Sequence, residues 1–96
     1  MVKRQQRESD NVFEQLGFKR EEALNLRLRS EMMNALIVEI EKKGFTQAQA
    51  AAQLGVTQPR ISDLMRGKLH LFSIDTLVTL LSAAGLRVEM KVRRAA

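Results

Sequence analysis

Residues 46–66 contain two short helical patterns that meet at one glycine, and this arrangement constrains the fold more than any other part of the chain. The segment reads TQAQAAAQLGVTQPRISDLMR. Thr46 and Thr57 stand where helix N-caps are expected, and Gly55 lies at the bend, where positive φ carries little steric cost. Helices that cross steeply come closest near the turn, so the small Ala51 is expected at their contact. The pattern predicts a helix-turn-helix with these structural residues: Ala51, Gly55, Val56, Ile61 and Leu64.

Helical periodicity continues on both sides of this pair. A long helix is expected from Arg20 to Lys43, because apolar residues recur there at every fourth position. The residues of that stripe are Leu24, Leu28, Met32, Leu36 and Ile40. A further helix is expected from Ile74 to Ala84, with Ser73 as its N-cap.

The N-terminal part of the chain changes character near residue 12. Residues 1–11 are polar and carry both charges, so they are expected to form a flexible arm, while residues 12–96 form one domain. An apolar cluster follows the arm and is expected to dock on the core as one helical turn. Its members are Val12, Phe13, Leu16 and Phe18.

The C-terminal tail, residues 86–93, has the period of two that is typical of a half-buried β-strand. Its apolar positions are Leu86, Val88, Met90 and Val92, and charged residues stand between them. Because a lone strand is unstable, it is expected to pair with its copy in a second subunit or to join the sheet of another protein. A hairpin with the N-terminal arm is the less favoured alternative.

Composition favours an anionic partner and argues against several classes of function. The 96 residues include 16 Lys or Arg against 11 Asp or Glu, a formal net charge of +5. The chain has no cysteine, which excludes disulfides, thiolate metal sites and thiol catalysis. No apolar run is long enough for a membrane span and no signal-peptide pattern is present, so a cytoplasmic protein without membrane contact is expected.

The helix-turn-helix segment resembles the lambda-repressor-like (Xre) family, whose pattern is TQ-x-x-x-A-x-x-x-GV-x-x-x-x-IS-x-L-x-x-G. The matching positions are Thr46-Gln47, Ala51, Gly55-Val56, Ile61-Ser62, Leu64 and Gly67. The resemblance implies an all-α domain of four to five helices that binds double-stranded DNA, here with a C-terminal strand. An ordinary αα-hairpin would account for the packing residues, but not for glutamines at both helix starts or for the basic exposed face.

The second helix of the motif carries the predicted reading residues, since a recognition helix presents its N-terminal half to base edges. The candidates are Gln58, Arg60, Ser62 and Asp63. Gln58 can form two hydrogen bonds with adenine, and Arg60 can form two with guanine. Asp63 can accept a hydrogen bond from cytosine, or else it holds Arg60 or Arg66 in place. The resemblance implies that Gln47 contacts phosphate and steadies Gln58. The predicted phosphate contacts are Thr46, Gln47, Thr57, Arg66 and Lys68.

Most of residues 11–93 is similar to compact Xre-type antitoxins of the HigA kind, which are partners of RelE-fold ribonuclease toxins. The resemblance implies an antitoxin that neutralises a toxin and represses its own operon, as a homodimer on a palindromic operator. A free-standing phage or host repressor is the alternative, and a protein-interaction module that does not bind DNA is a second one. An enzyme is not expected, since no catalytic triad, metal-ligand set or phosphate-binding glycine loop occurs, and no cofactor is implied.

Overall fold

The computed structural model of the protein describes residues 12–95, and its regular secondary structure is helical. After one helical turn at residues 12–15, the chain forms four α-helices and one 3-10 turn. In order these are α1 (Arg20–Lys42), α2 (Gln47–Leu54), α3 (Gln58–Met65), the 3-10 turn (Leu69–Leu71) and α4 (Ile74–Ala83). The all-α prediction is confirmed for this part of the chain. The predicted arm at residues 1–11 lies outside the described residues.

All four helices contribute to the core, with α1 packed mainly against α4 and α2 packed mainly against α3. The largest fully buried side chains come from these elements and from the loop before α4. They are Phe72, Leu36, Ile61, Leu64 and Leu77. The structural residues of the helix-turn-helix lie as predicted: Ala51, Ile61 and Leu64 are buried, and Val56 is half-buried against the core.

The turn between α2 and α3 is made by Gly55 in the left-handed conformation, with φ 70° and ψ 32°. The N–H of Val56 donates to the carbonyl oxygen of Ala51 at 3.0 Å, which satisfies one of the last carbonyls of α2. This confirms the positive φ expected at the bend. The turn therefore brings the start of α3 to the same side of the molecule as the start of α2.

The inward face of α1 differs from the predicted stripe. Leu36 and Ile40 are buried, with Ala23 and Met33, but Leu24 and Leu28 are 47% and 37% exposed. A strict four-residue spacing advances about 40° per step around a helix of 3.6 residues per turn. Leu24 and Ile40 are therefore about 160° apart around the axis and cannot share one face. The apolar positions Leu24, Leu28, Ala35 and Val38 form an outward strip instead.

The predicted strand over residues 86–93 is wrong for this chain, since residues 86–95 have no regular secondary structure. Leu86 is half-buried and its N–H donates to the carbonyl oxygen of Leu81 at 2.9 Å. Val88, Met90 and Val92 are 44%, 85% and 80% exposed. A strand needs a neighbouring strand for its backbone hydrogen bonds, and within residues 12–95 there is none. The alternation of apolar and charged residues over 86–93 therefore did not suffice to predict a strand.

The apolar cluster before α1 packs on itself rather than on the core. The rings of Phe13 and Phe18 meet edge to face, with centroids 6.3 Å apart. Val12, Leu16 and Phe18 are 50%, 69% and 40% exposed. The expected helical turn is present, but its docking on the core is not.

Candidate nucleic-acid interface

The start of α2 is built by a reciprocal pair of hydrogen bonds between Thr46 and Gln49. The N–H of Gln49 donates to Thr46 Oγ1 at 3.1 Å, and the N–H of Thr46 donates to Gln49 Oε1 at 2.9 Å. This capping box leaves the N–H groups of the first helical residues, Gln47 and Ala48, without an intrahelical acceptor. Such groups bind anions. The hydroxyl hydrogen of Thr46 is also still available to an acceptor.

The start of α3 also has a threonine cap, but it lacks the reciprocal side-chain bond of the capping box. Thr57 Oγ1 accepts the N–H of Arg60 at 3.4 Å, and Pro59 occupies the first turn, where its fixed φ suits a helix start. Both threonines that the sequence places at N-caps are therefore confirmed in that structural role. The two helix starts lie on one exposed surface, since Gln47 and Gln58, the first residues of α2 and α3, line the same depression.

An open depression joins these two helix starts. It is lined by Gln47, Gln58, Pro59 and Ser62. The structure thus brings Gln47 and Gln58 to one site although they are far apart in sequence. Pro59 belongs to the same surface and was absent from the predicted reading residues. The sequence could have indicated Pro59, because it directly follows Gln58 in the first turn of α3. An apolar ring at that position can contact the methyl group of thymine.

Arg60 lies on the flank of α3 rather than in this depression. Its guanidinium carbon is 4.0 Å from the centroid of the Phe72 ring, a cation–π contact. Phe72 is 1% exposed and Arg60 is half-buried. Among residues 12–95, no hydrogen bond or ion pair engages the guanidinium N–H groups. Sequence reasoning missed Phe72, which stands twelve positions after Arg60.

Asp63 lies between the two cations at the C-terminal end of α3. Its Oδ1 is 3.3 Å from Lys68 Nζ and 3.7 Å from Arg66 Nη2. The backbone adds a third link, since the N–H of Lys68 donates to the carbonyl oxygen of Asp63 at 3.2 Å. Of the two alternatives for this carboxylate, the geometry matches the holding role for Arg66. Lys68 is a second partner that was not foreseen, and Arg60 is not a partner.

No group of three or more His, Cys, Asp or Glu within residues 12–95 could hold a metal ion. His70 is an exposed residue of the 3-10 turn. None of the helices in this part of the chain is both long and apolar enough to cross a membrane.

Comparison with known proteins agrees with this geometry. The profile of a family described as "Helix-turn-helix domain" matches residues 12–93. A solved structure described as an "XRE Family Transcriptional Regulator" superposes with a TM-score of 0.73 at 36% sequence identity. The match covers 77% of this chain and 83% of that chain. No curated protein sequence matches the chain.

Proposed function

Because the chain belongs to the Helix-turn-helix domain family and has the fold of an XRE family transcriptional regulator, we propose that it is a sequence-specific DNA-binding repressor. The observation that carries this proposal is the uncovered N-terminal half of α3, with Gln47 and Gln58 in one depression beside it. The major groove of B-DNA, about 12 Å wide, admits one helix. In this orientation the first turns of α2 and α3 both face the DNA.

The residues of this surface fall into two groups by chemistry. Gln58 offers one donor and one acceptor that match N7 and N6 of adenine, and Arg60 offers two donors that match O6 and N7 of guanine. Ser62 adds a hydroxyl beside them. Phosphate contacts come from Thr46, Gln47 and Thr57 at the helix starts and from Arg66 and Lys68 beyond the end of α3. Asp63 then acts on the DNA through the two cations that it contacts.

A single module of this size covers only a few base pairs, so we extend the proposal to a homodimer on a palindromic operator. Half-sites would then lie about 10 base pairs apart, which is one turn of B-DNA. Footprinting of the promoter upstream of the gene tests this spacing. Protection of a single short site, with one protein chain per duplex in sedimentation, would contradict it. Such a regulator acts on chromosomal DNA, which is consistent with a nucleoid-associated location in the cytoplasm.

The direct test is the binding of a fluorescently labelled promoter duplex, followed by anisotropy at low and at high salt. Gln58→Ala should lower affinity for the promoter by roughly 1–3 kcal/mol and relax one base preference. Gln53→Ala is the matched control, since Gln53 lies on α2 near Glu39, Lys43 and Ala84, away from the depression. Equal effects of the two substitutions would refute the assigned reading surface. No affinity for any duplex in dilute buffer would favour the protein-interaction module instead.

We further propose that this repressor is the antitoxin of a toxin–antitoxin pair, with a RelE-fold toxin as its protein partner. Large apolar side chains that are left exposed support a protein partner. On α1 these are Leu24, Leu28 and Val38, and in the tail they are Val88, Met90 and Val92. Co-expression with the neighbouring reading frame, followed by purification through a tag on one chain, tests this part. A free-standing repressor is the conclusion if the neighbouring product does not co-purify.

A further inference from the structure

We infer that Phe72, which lies outside the helix-turn-helix, is a positioning residue for Arg60 and sets the selectivity of one base contact. The inference rests on the proposed role of Arg60 in reading DNA. Phe72 is buried in the core, so its ring cannot itself contact DNA. It acts by holding the guanidinium plane of Arg60 at a fixed orientation on the flank of α3.

The contact leaves the hydrogen-bonding capacity of Arg60 intact. The guanidinium lies over the ring at 4.0 Å, and such stacking engages the face of the planar group. The five N–H donors point outward in the plane of the guanidinium. Since no acceptor among residues 12–95 engages them, Arg60 presents a restrained fork of unused donors. Two of those donors match the O6 and N7 atoms of guanine.

Hydrogen bonds hold the backbone on both sides of Phe72. The N–H of Phe72 donates to the carbonyl oxygen of Leu69 at 3.1 Å. Arg29 Nη1 of α1 donates to the same carbonyl at 3.0 Å, which fastens the 3-10 turn to α1. After Phe72, Ser73 caps α4 by accepting the N–H of Thr76 at 3.1 Å. The orientation of Arg60 is thus tied to the folded core.

Restraint matters because a bidentate contact needs both donors aligned with one base. A free arginine loses side-chain freedom when it binds, whereas a stacked one has lost most of it on folding. Lysine at position 60 would keep the charge but would present no planar fork. The structure therefore assigns the selectivity of this contact to the pair Arg60 and Phe72, and not to the charge of Arg60 alone.

The test is a double-mutant cycle on base discrimination. A duplex is selected by the wild-type protein from a randomised pool, and each base pair is then changed in turn. Arg60→Ala identifies the one pair whose discrimination is lost. Phe72→Leu should reduce discrimination at that same pair by roughly 3- to 10-fold, with little change at the others. In the Arg60→Ala background, Phe72→Leu should have no further effect on discrimination.

The outcomes separate this inference from the proposed function. If Arg60→Ala relaxes one pair and Phe72→Leu does not, the positioning role is refuted and the reading role stands. If Arg60→Ala leaves every pair unchanged, the reading role fails and the inference fails with it. A loss of affinity that is equal for all duplexes would show that Phe72 is only structural. Thermal unfolding of each variant, followed by circular dichroism, identifies any general loss of fold.

A measurement on the unmodified side chain covers the case in which Phe72→Leu does not fold. Proton NMR of the wild-type chain should show the δ-CH2 and ε-NH signals of Arg60 shifted upfield by the ring current of Phe72. These signals are assigned by their absence in Arg60→Ala, and the exposed Arg20 supplies the unshifted reference. Signals of Arg60 at the reference positions would refute the stack, and with it the inference.

Discussion

Replacement of Asp63 with asparagine should lower stability slightly and raise non-selective affinity for DNA. The substitution removes one negative charge beside Lys68 and Arg66, whose nitrogens are 3.3 Å and 3.7 Å from Asp63 Oδ1. At these distances each pair is worth about 1 kcal/mol at the dielectric constant of water. The side chains of Asp63 and Arg66 are 25% and 63% exposed, so solvent screening reduces that value. We expect a loss of roughly 0.3–1 kcal/mol in the free energy of unfolding.

The effect on DNA binding has the opposite sign. Arg66 and Lys68 are proposed phosphate contacts, and Asp63 partly neutralises both of them. Asp63→Asn should raise affinity for a random-sequence duplex by roughly 5-fold, equivalent to about 1 kcal/mol. It should also steepen the slope of log affinity against log salt by up to about 0.9, the contribution of one further neutralised phosphate.

Anisotropy of two labelled duplexes measures both quantities between about 50 and about 200 mM salt. One duplex is the promoter and the other has random sequence. Glu41→Gln is the control, because Glu41 is an exposed carboxylate near the end of α1 and its loss changes the net charge equally. The reasoning is refuted if Asp63→Asn weakens promoter binding at one base pair and leaves the random duplex unchanged. That result would make Asp63 an acceptor for a base.

Three stability predictions follow from local geometry, each measured by urea unfolding with circular dichroism because the chain has no Trp or Tyr. Thr46→Ala should cost about 1 kcal/mol through loss of the capping box, whereas Thr46→Ser should restore most of it; an equal cost for both would exclude the cap. Gly55→Ala should cost about 1–2 kcal/mol from the left-handed backbone alone, since an added Cβ meets nothing within 4 Å, and Gly55→Asn should cost less. Met90→Ser should change stability by less than about 0.5 kcal/mol, because Met90 is 85% exposed; a larger loss would show that the tail is packed in solution.

The helix-turn-helix was predictable because its determinants are local. A capping threonine, a glycine at the bend and a small residue four positions earlier each act within a few residues of chain. Thr46, Thr57 and Gly55 accordingly have the expected conformations and hydrogen bonds. Ala51 is buried as predicted for the same reason.

The sequence-based predictions were wrong where the burial or the secondary structure of a residue depends on distant parts of the chain. Spacing within α1 shows that Leu24 and Ile40 lie on opposite faces, but the packing of α4 and the 3-10 turn on α1 decides which of the two faces is buried. A strand at residues 86–93 would need a partner that alternation alone cannot provide. The contact between Arg60 and Phe72 depends on how the loop before α4 returns to α3, and no local pattern encodes that return.

Arg60 and Arg66 are restrained by different kinds of partner, and this difference separates selectivity from affinity. Arg60 stacks on a buried ring, and such a contact depends little on salt. Arg66 is paired with a carboxylate in solvent, and salt screens an exposed ion pair. The phosphate contacts proposed for Arg66 and Lys68 also weaken as salt rises. The ratio of promoter affinity to random-duplex affinity should therefore increase with ionic strength in the wild type. Phe72→Leu should reduce that increase, because it loosens a cation that is held by a buried ring and not by an exposed carboxylate.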